Sequence, residues 1–416
     1  MLQALLTLLA LSADPAPPWL LAEAFKLPSQ YTNQESGYFA LVAGLNDRLY
    51  IGTAKYGENA YLLEFDPRTN KVRMVLDVNE VTKLSGRGFA AQAKIHTRNH
   101  VGASGKIYVG SKQGYPEKGE ERCLYPGGFV LTHDPKTGQN ETFGIAKAQH
   151  GIISVMPDEE RGVAYISTCS DDRPIDHTHF MVLDLKTKKY VDLGDMEQAY
   201  AFIVLDHLGR AYHPVRGGRM ARYDPRTQKL VQLRPTVDGK PAGLPFSKEG
   251  CILNWDTSPD RKTLWAVEMT TNALYRFDLT SDPPAGVTVG PLLVPGAKGR
   301  TDCRCLCVGP EGTVWAAVTV HGVVDGPRLH LVRFDPKVDK QPRDLGRVGV
   351  ANPDFTSFVD DKGQPKPWHH TMPVTKDGTR SPWQPMGICQ TREGTVWIKT
   401  IAPYTLLKLT RDQVRK

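Results

Sequence analysis

"YIGTAKYGENAYLLEFDPRTN", residues 50 to 70, decides the fold, because the chain carries its design seven times. An aromatic residue opens one apolar strand, a loop follows, and the next strand runs into Asp-Pro or Asp-Leu. The opening strands are "YIGT" at 50, "YVGS" at 108, "YIST" at 165, "YHPV" at 212, "WAVE" at 265, "WAAV" at 315 and "WIKT" at 397. Their partners are "LLEFDPRTN", "FVLTHDPKTG", "FMVLDLKTK", "MARYDPRTQ", "LYRFDLTSD", "LVRFDPKVD" and the degenerate "LLKLTRDQ". Leads 47 to 58 residues apart, with one gap of 82, suit four-stranded propeller blades. Asp-Pro-x-Thr is turn chemistry, since Asp accepts from the backbone two residues on and Pro presets φ. The expected fold is therefore all-β, a single seven-bladed β-propeller over 24–416. The last unit lacks a fourth strand, so a strand within 24–34 is expected to complete it and close the ring, which removes exposed sheet edges.

Composition agrees with a turn-rich globular chain: of 416 residues, 38 are Gly, 31 Pro, 40% hydrophobic and 23% charged. A net charge of +7, spread without basic runs, supplies no nucleic-acid footprint. The opening "MLQALLTLLALSADPAPP" has the apolar stretch of an export signal over 1–13, followed by a Pro-rich spacer at 14–23. Secretion or a periplasmic location is the expectation, with no membrane span, since no later apolar run approaches about 20 residues. Seven Cys leave at least one outside intrachain disulfides. "CRCLC" is expected to put Cys303, Cys305 and Cys307 on one strand face as buried small hydrophobes.

Register then gathers polar residues on one face. Twelve residues before each aromatic lead stand Tyr38, His96, Ile153, Tyr200, Leu253, Cys303 and Pro385, with His150 one register shift away. Aligned five residues before the turn Asp are Tyr61, Phe129, His179, Arg219, Ala273 and His330. The longer loops emerge on the same face, above all the insertion 351–385 with "WHH" at 368–370 and Trp383. Insertions concentrated on one face of a repeat ring mark a binding face. His96 is thus expected to look into a funnel beside Tyr38, Tyr200 and Arg216 or Arg219. Tyr61, His150, His179, His330, His369 and Trp383 are candidate substrate contacts.

His, Tyr and Arg on a concave site suit elimination from a uronate sugar. Arg would neutralise the carboxylate and acidify the adjacent C–H, His or Tyr would take that proton, and Tyr would protonate the departing oxygen. No cofactor is required. The contrasting expectation is a channel plug in a non-catalytic binding or interaction module. "KIHTRNHVGASGKIYVGS" and "YAFIVLDHLGRAYHPVRGGR" resemble the ulvan lyase type of polysaccharide lyase, a secreted bacterial seven-bladed propeller family. The resemblance implies His96, Tyr200 and Arg216 or Arg219 as catalytic residues and an acidic polysaccharide or oligosaccharide as partner. Where that family carries a second His, this chain has Phe129, leaving His150 or His179 as its spatial substitute. "DDRPIDHTHF" adds Asp176, His177 and His179 as half of a divalent metal site for Zn or Ca.

Overall fold

Strands such as Leu49–Thr53 and Phe129–His133 are buried at every position, so they belong inside stacked sheets with apolar neighbours on both faces. The third unit shows the resulting design whole. Gly151–Asp158, Val163–Cys169, His179–Asp184 and Tyr190–Asp195 pair in chain order as a four-stranded antiparallel sheet. Its outermost strand is the polar one. The computed structural model describes residues 18–32, 36–96, 98–116, 118–121, 124–169, 178–195, 197, 201–242, 254–267, 272–292, 301–322, 328–352, 374–402 and 404–415. The expected signal segment 1–13 lies outside them.

The repeated turn aspartates act as their spacing predicts. Asp66, Asp134, Asp184, Asp224, Asp278 and Asp335 each accept the backbone N–H two residues on. The aromatic leads bury their rings, and four of them bond their polar tips, whereas the Tyr165 hydroxyl and Trp397 indole N–H find no partner among the described residues. Tyr50 donates to Glu64, Tyr108 to Glu159, Tyr212 to Asp206, and the Trp315 indole to Gln390.

The core lies between sheets, in apolar layers where each unit meets the next. One layer joins Trp397 and Leu406 of the last unit to Leu49, Ile51 and Phe65 of the first. Contact is close enough to require glycine. A Cβ on Gly110 would lie 2.3 Å from Ile152 Cγ2, and one on Gly52 2.6 Å from Ala40 Cβ.

The closing strand is longer and earlier than the sequence reading places it. Trp19–Lys26 begins within the expected spacer 14–23 and bridges two sheets. Residues 19–22 pair parallel with 347–350, whereas residues 23–26 pair antiparallel with 405–408. Asn352 locks this strand by exchanging two side-chain hydrogen bonds with the Ala24 backbone, each 2.9 Å. Residues 29–31 of the expected stretch form a 3₁₀ turn instead. The expectation that three cysteines share a face also fails, because a bulge between Cys303 and Cys305 resets the alternation. Cys303 packs toward Trp265 and Val267, while Cys305 and Cys307 pack toward Ile388 and Val396. The result is a β-propeller built of consecutive antiparallel sheets.

Candidate functional site

The innermost strand of the second unit is interrupted at His96. Lys94–Ile95 pairs with Ser111 and Lys112, and His100–Val101 pairs with Ile107 and Tyr108. Arg98, between the two pieces, crosses to the fifth unit. Its Nη2 lies 2.6 Å from Asp256 Oδ2 and its Nη1 donates to the Trp255 carbonyl oxygen. Phe39 of the first unit meets Phe202 of the fourth edge-on at 5.0 Å. The cavity these leave is about 10 Å³, near the lower limit for one water. The space at this level is too small for a ligand, and the mouth beside His96 is the candidate site.

At that mouth His96 is 3% exposed. Its ring stacks on Tyr38 at 4.3 Å and 24°, with Phe39 edge-on at 5.7 Å. Tyr38 holds this position with φ at 49°, a left-handed conformation that costs a non-glycine residue roughly 1–2 kcal/mol. Three lysines surround the imidazole: Lys94, Lys112 and Lys399, each no more than 1% exposed. Burial holds His96 well below the usual histidine range, and Lys112, Lys94 and Lys399 add to the effect. The imidazole is therefore neutral at pH 7.

The lysines are themselves placed by named groups. Lys94 Nζ lies 4.5, 5.2 and 5.4 Å from the rings of Tyr115, Tyr56 and Tyr38, an aromatic cage for a cation. The Tyr38 and Tyr115 hydroxyls meet at 3.2 Å. Lys399 donates to the Ala40 carbonyl oxygen at 3.4 Å, and burial keeps its amine well below the ordinary lysine value. Gly151 makes room beside this group, because a Cβ there would lie 2.6 Å from Lys112 Cγ and 2.7 Å from Gln113 Oε1.

The other sequence candidates separate. His150 is next to Gly151, bonds Thr168 Oγ1 at 3.1 Å and meets the His179 ring edge-on at 5.3 Å. His179 and His330 serve a repeated staple between third and fourth strands, with Nδ1 to Asp192 at 2.7 Å and to Asp344 at 2.9 Å. In each case the glycine two residues after that Asp donates to the same carboxylate. Arg219 fills the same staple in the fourth unit through Gln232 and also pairs with Glu197. Arg216 is exposed, and its carbonyl oxygen accepts from Arg219 Nε. Of the expected arginine neighbours of His96, Arg219 is thus tied elsewhere and Arg216 is exposed, while lysines stand around the imidazole. Tyr61 packs on Tyr31 at 5.1 Å, and Trp383 meets His321 edge-on at 6.3 Å. Tyr200, Asp176, His177 and His369 lie outside the described residues. Among the described residues no group of three His, Cys, Asp or Glu side chains fits a metal ion.

Sequence reasoning overlooks the lysines, though a signal is present. Lys399 is the third residue of "WIKT", where other units carry Gly52, Gly110, Ser167, Pro214, Val267 and Ala317. A long cation in a column of small or apolar residues must reach past its own strand.

No family model matches the chain, and no curated protein sequence matches it. Its fold does resemble solved structures. The WD40 repeats of RRP9 superpose with a TM-score of 0.56 at 9% identity, over 95% of this chain and 99% of that one. The extracellular domain of a hybrid two-component system from B. thetaiotaomicron gives 0.52 at 9% identity, over 94% of this chain. The chain spans 40% of that larger protein. A second such extracellular domain from B. thetaiotaomicron gives 0.51 at 13%, over 96% of this chain and 42% of that one. These likenesses establish the β-propeller fold and nothing finer.

Proposed function

We propose that this chain is an exported, seven-bladed propeller that binds an acidic, uronate-containing polysaccharide at the His96 mouth and cleaves it by β-elimination. Seven sequence units and an apolar layer between the last and first support the blade count. The observation that carries the functional reading is a buried imidazole, stacked on Tyr38, within a shell of buried lysines.

In this reading Lys94 and Lys112 take the role first assigned to Arg216 and Arg219, drawing the sugar carboxylate and stabilising charge that develops on it. His96 removes the proton on the carbon next to that carboxylate. The C–H electron pair forms a carbon–carbon double bond, the glycosidic C–O bond breaks, and a tyrosine hydroxyl, Tyr38 or Tyr200, protonates the departing oxygen. Asp176, His177 and His179 remain a proposed Zn or Ca site outside this chemistry.

The test is incubation of the purified chain with a panel of uronate polysaccharides, with and without chelator, following absorbance of the unsaturated product. A rise that His96→Ala abolishes without unfolding the protein supports the reading. Saturable glycan binding with no absorbance change would instead favour a non-catalytic module, as Arg219 being spent on Glu197 and Gln232 suggests. No binding and no turnover from folded protein would remove both.

A further inference from the structure

At the opposite end of the strands, between the sixth and seventh units, a groove of about 190 Å³ is lined by four arginines from three segments. Arg333 comes from a third strand, Arg392 from the turn after a first strand, and Arg411 and Arg415 from the C-terminal segment. Glu311 and Asp335 share the wall, leaving two positive charges in excess. Among the described residues Arg392, Arg411 and Arg415 make no ion pair. Arg333 is mostly buried, and its contacts are long: 3.5 Å to Asp339 and 3.4 Å to the Arg415 carbonyl oxygen. Its buried Nε–H has no acceptor among the described residues. A buried guanidinium N–H left unpaired is costly, so a site that presents one suits an acceptor from outside the chain.

The groove is also shaped. Gly394 takes φ of 94°, and a Cβ there would lie 2.9 Å from Arg411 Cδ, so the arginine stem lies across the turn. Gln390 is fixed by accepting from the Trp315 indole and donating to the Gly394 carbonyl oxygen. That volume far exceeds the ~10–15 Å³ that one water needs, so the groove has room for more than a bare ion. Guanidinium forks match tetrahedral and planar oxyanions bidentately.

We propose that this groove is a second binding site, separate from the His96 mouth, for a sugar-sized molecule carrying a phosphate or sulfate monoester. The oxyanion sits among Arg333, Arg392 and Arg411, and the sugar body lies against Gln390 and the Trp315 edge.

Calorimetric titration of the full chain with glucose 6-phosphate, glucose 6-sulfate and glucose tests this. One or both esters are expected to bind saturably at one site, and glucose is not. Arg411→Glu and Arg392→Glu, both at exposed positions, should weaken binding at least tenfold with an unchanged melting temperature. Arg411→Lys should keep part of the affinity, and Lys94→Met should leave ester binding at this groove unchanged. Preference between the esters identifies the group. Failure of both esters to bind, equal binding of glucose, or binding lost in Lys94→Met but kept in Arg411→Glu would overturn the proposal.

Discussion

Removing the carboxylate of Asp256 should expose how far the ring depends on a brace across its channel. Arg98 Nη2 stands 2.6 Å from Asp256 Oδ2, and the two side chains are 20% and 15% exposed, so solvent screens the pair only partly. Asp256 also accepts the backbone N–H of Val308 and of Thr257, each at 3.0 Å. Asp256→Asn leaves a largely buried guanidinium without its counter-charge, a defect that costs about 3–5 kcal/mol. Arg98→Met is the milder change, because the carboxylate keeps two N–H donors; about 2 kcal/mol is expected from the lost charge-assisted bond. The double variant should cost less than the sum, with a coupling of roughly 1–3 kcal/mol. Urea unfolding followed by tryptophan fluorescence gives all four stabilities. Single losses under about 1 kcal/mol that add within about 0.5 kcal/mol would refute the brace.

Two further outcomes follow from the same interior. Burial brings His100 down to about 3 and His213 to about 4, with Arg98 also lowering His100, so both are neutral in the folded protein. The unfolded chain takes up those protons below its own value near 6.5. Stability should therefore fall as pH drops from 6.5 toward 4, by up to about 1.4 kcal/mol per pH unit for each histidine. Urea midpoints across that range check the slope, and His213→Gln should reduce it; a flat profile would contradict buried neutral histidines. Gly110→Val forces a side chain onto Ile152 and should cost about 1–3 kcal/mol, whereas a melting temperature unchanged from the parent would show that neighbouring sheets can separate.

The turn aspartates and aromatic leads are legible in the sequence because their chemistry is local. An Asp that accepts from residue i+2 and a tyrosine that opens a buried strand need only their own segment, so all six turns are found where the spacing puts them. Tyr38 and His96 also come together as the register predicts. Long-range geometry is less visible. Nothing in "CRCLC" announces the bulge that turns Cys303 away from Cys305 and Cys307. The alignment that groups His179, Arg219 and His330 is sound, yet their shared task is bonding the fourth strand. Equivalence in a repeat reports equivalent position, and position at a strand edge serves stability as readily as binding. The lysines around His96 come from two units far apart in the chain, so only closure of the ring brings Lys399 to Ala40.

The bridging strand has a consequence for how the protein is made. Glu23 pairs with Lys408 and Trp19 with Arg347, so this strand finds its strand partners only after the sixth and seventh units have been made. Loops of this length slow the final contact, and the sheets formed meanwhile keep open edges. Until then a nearly finished ring holds strand 19–26 loose. Folding ends when that strand enters between the two sheets, which makes residues 19–26 the latch of the ring.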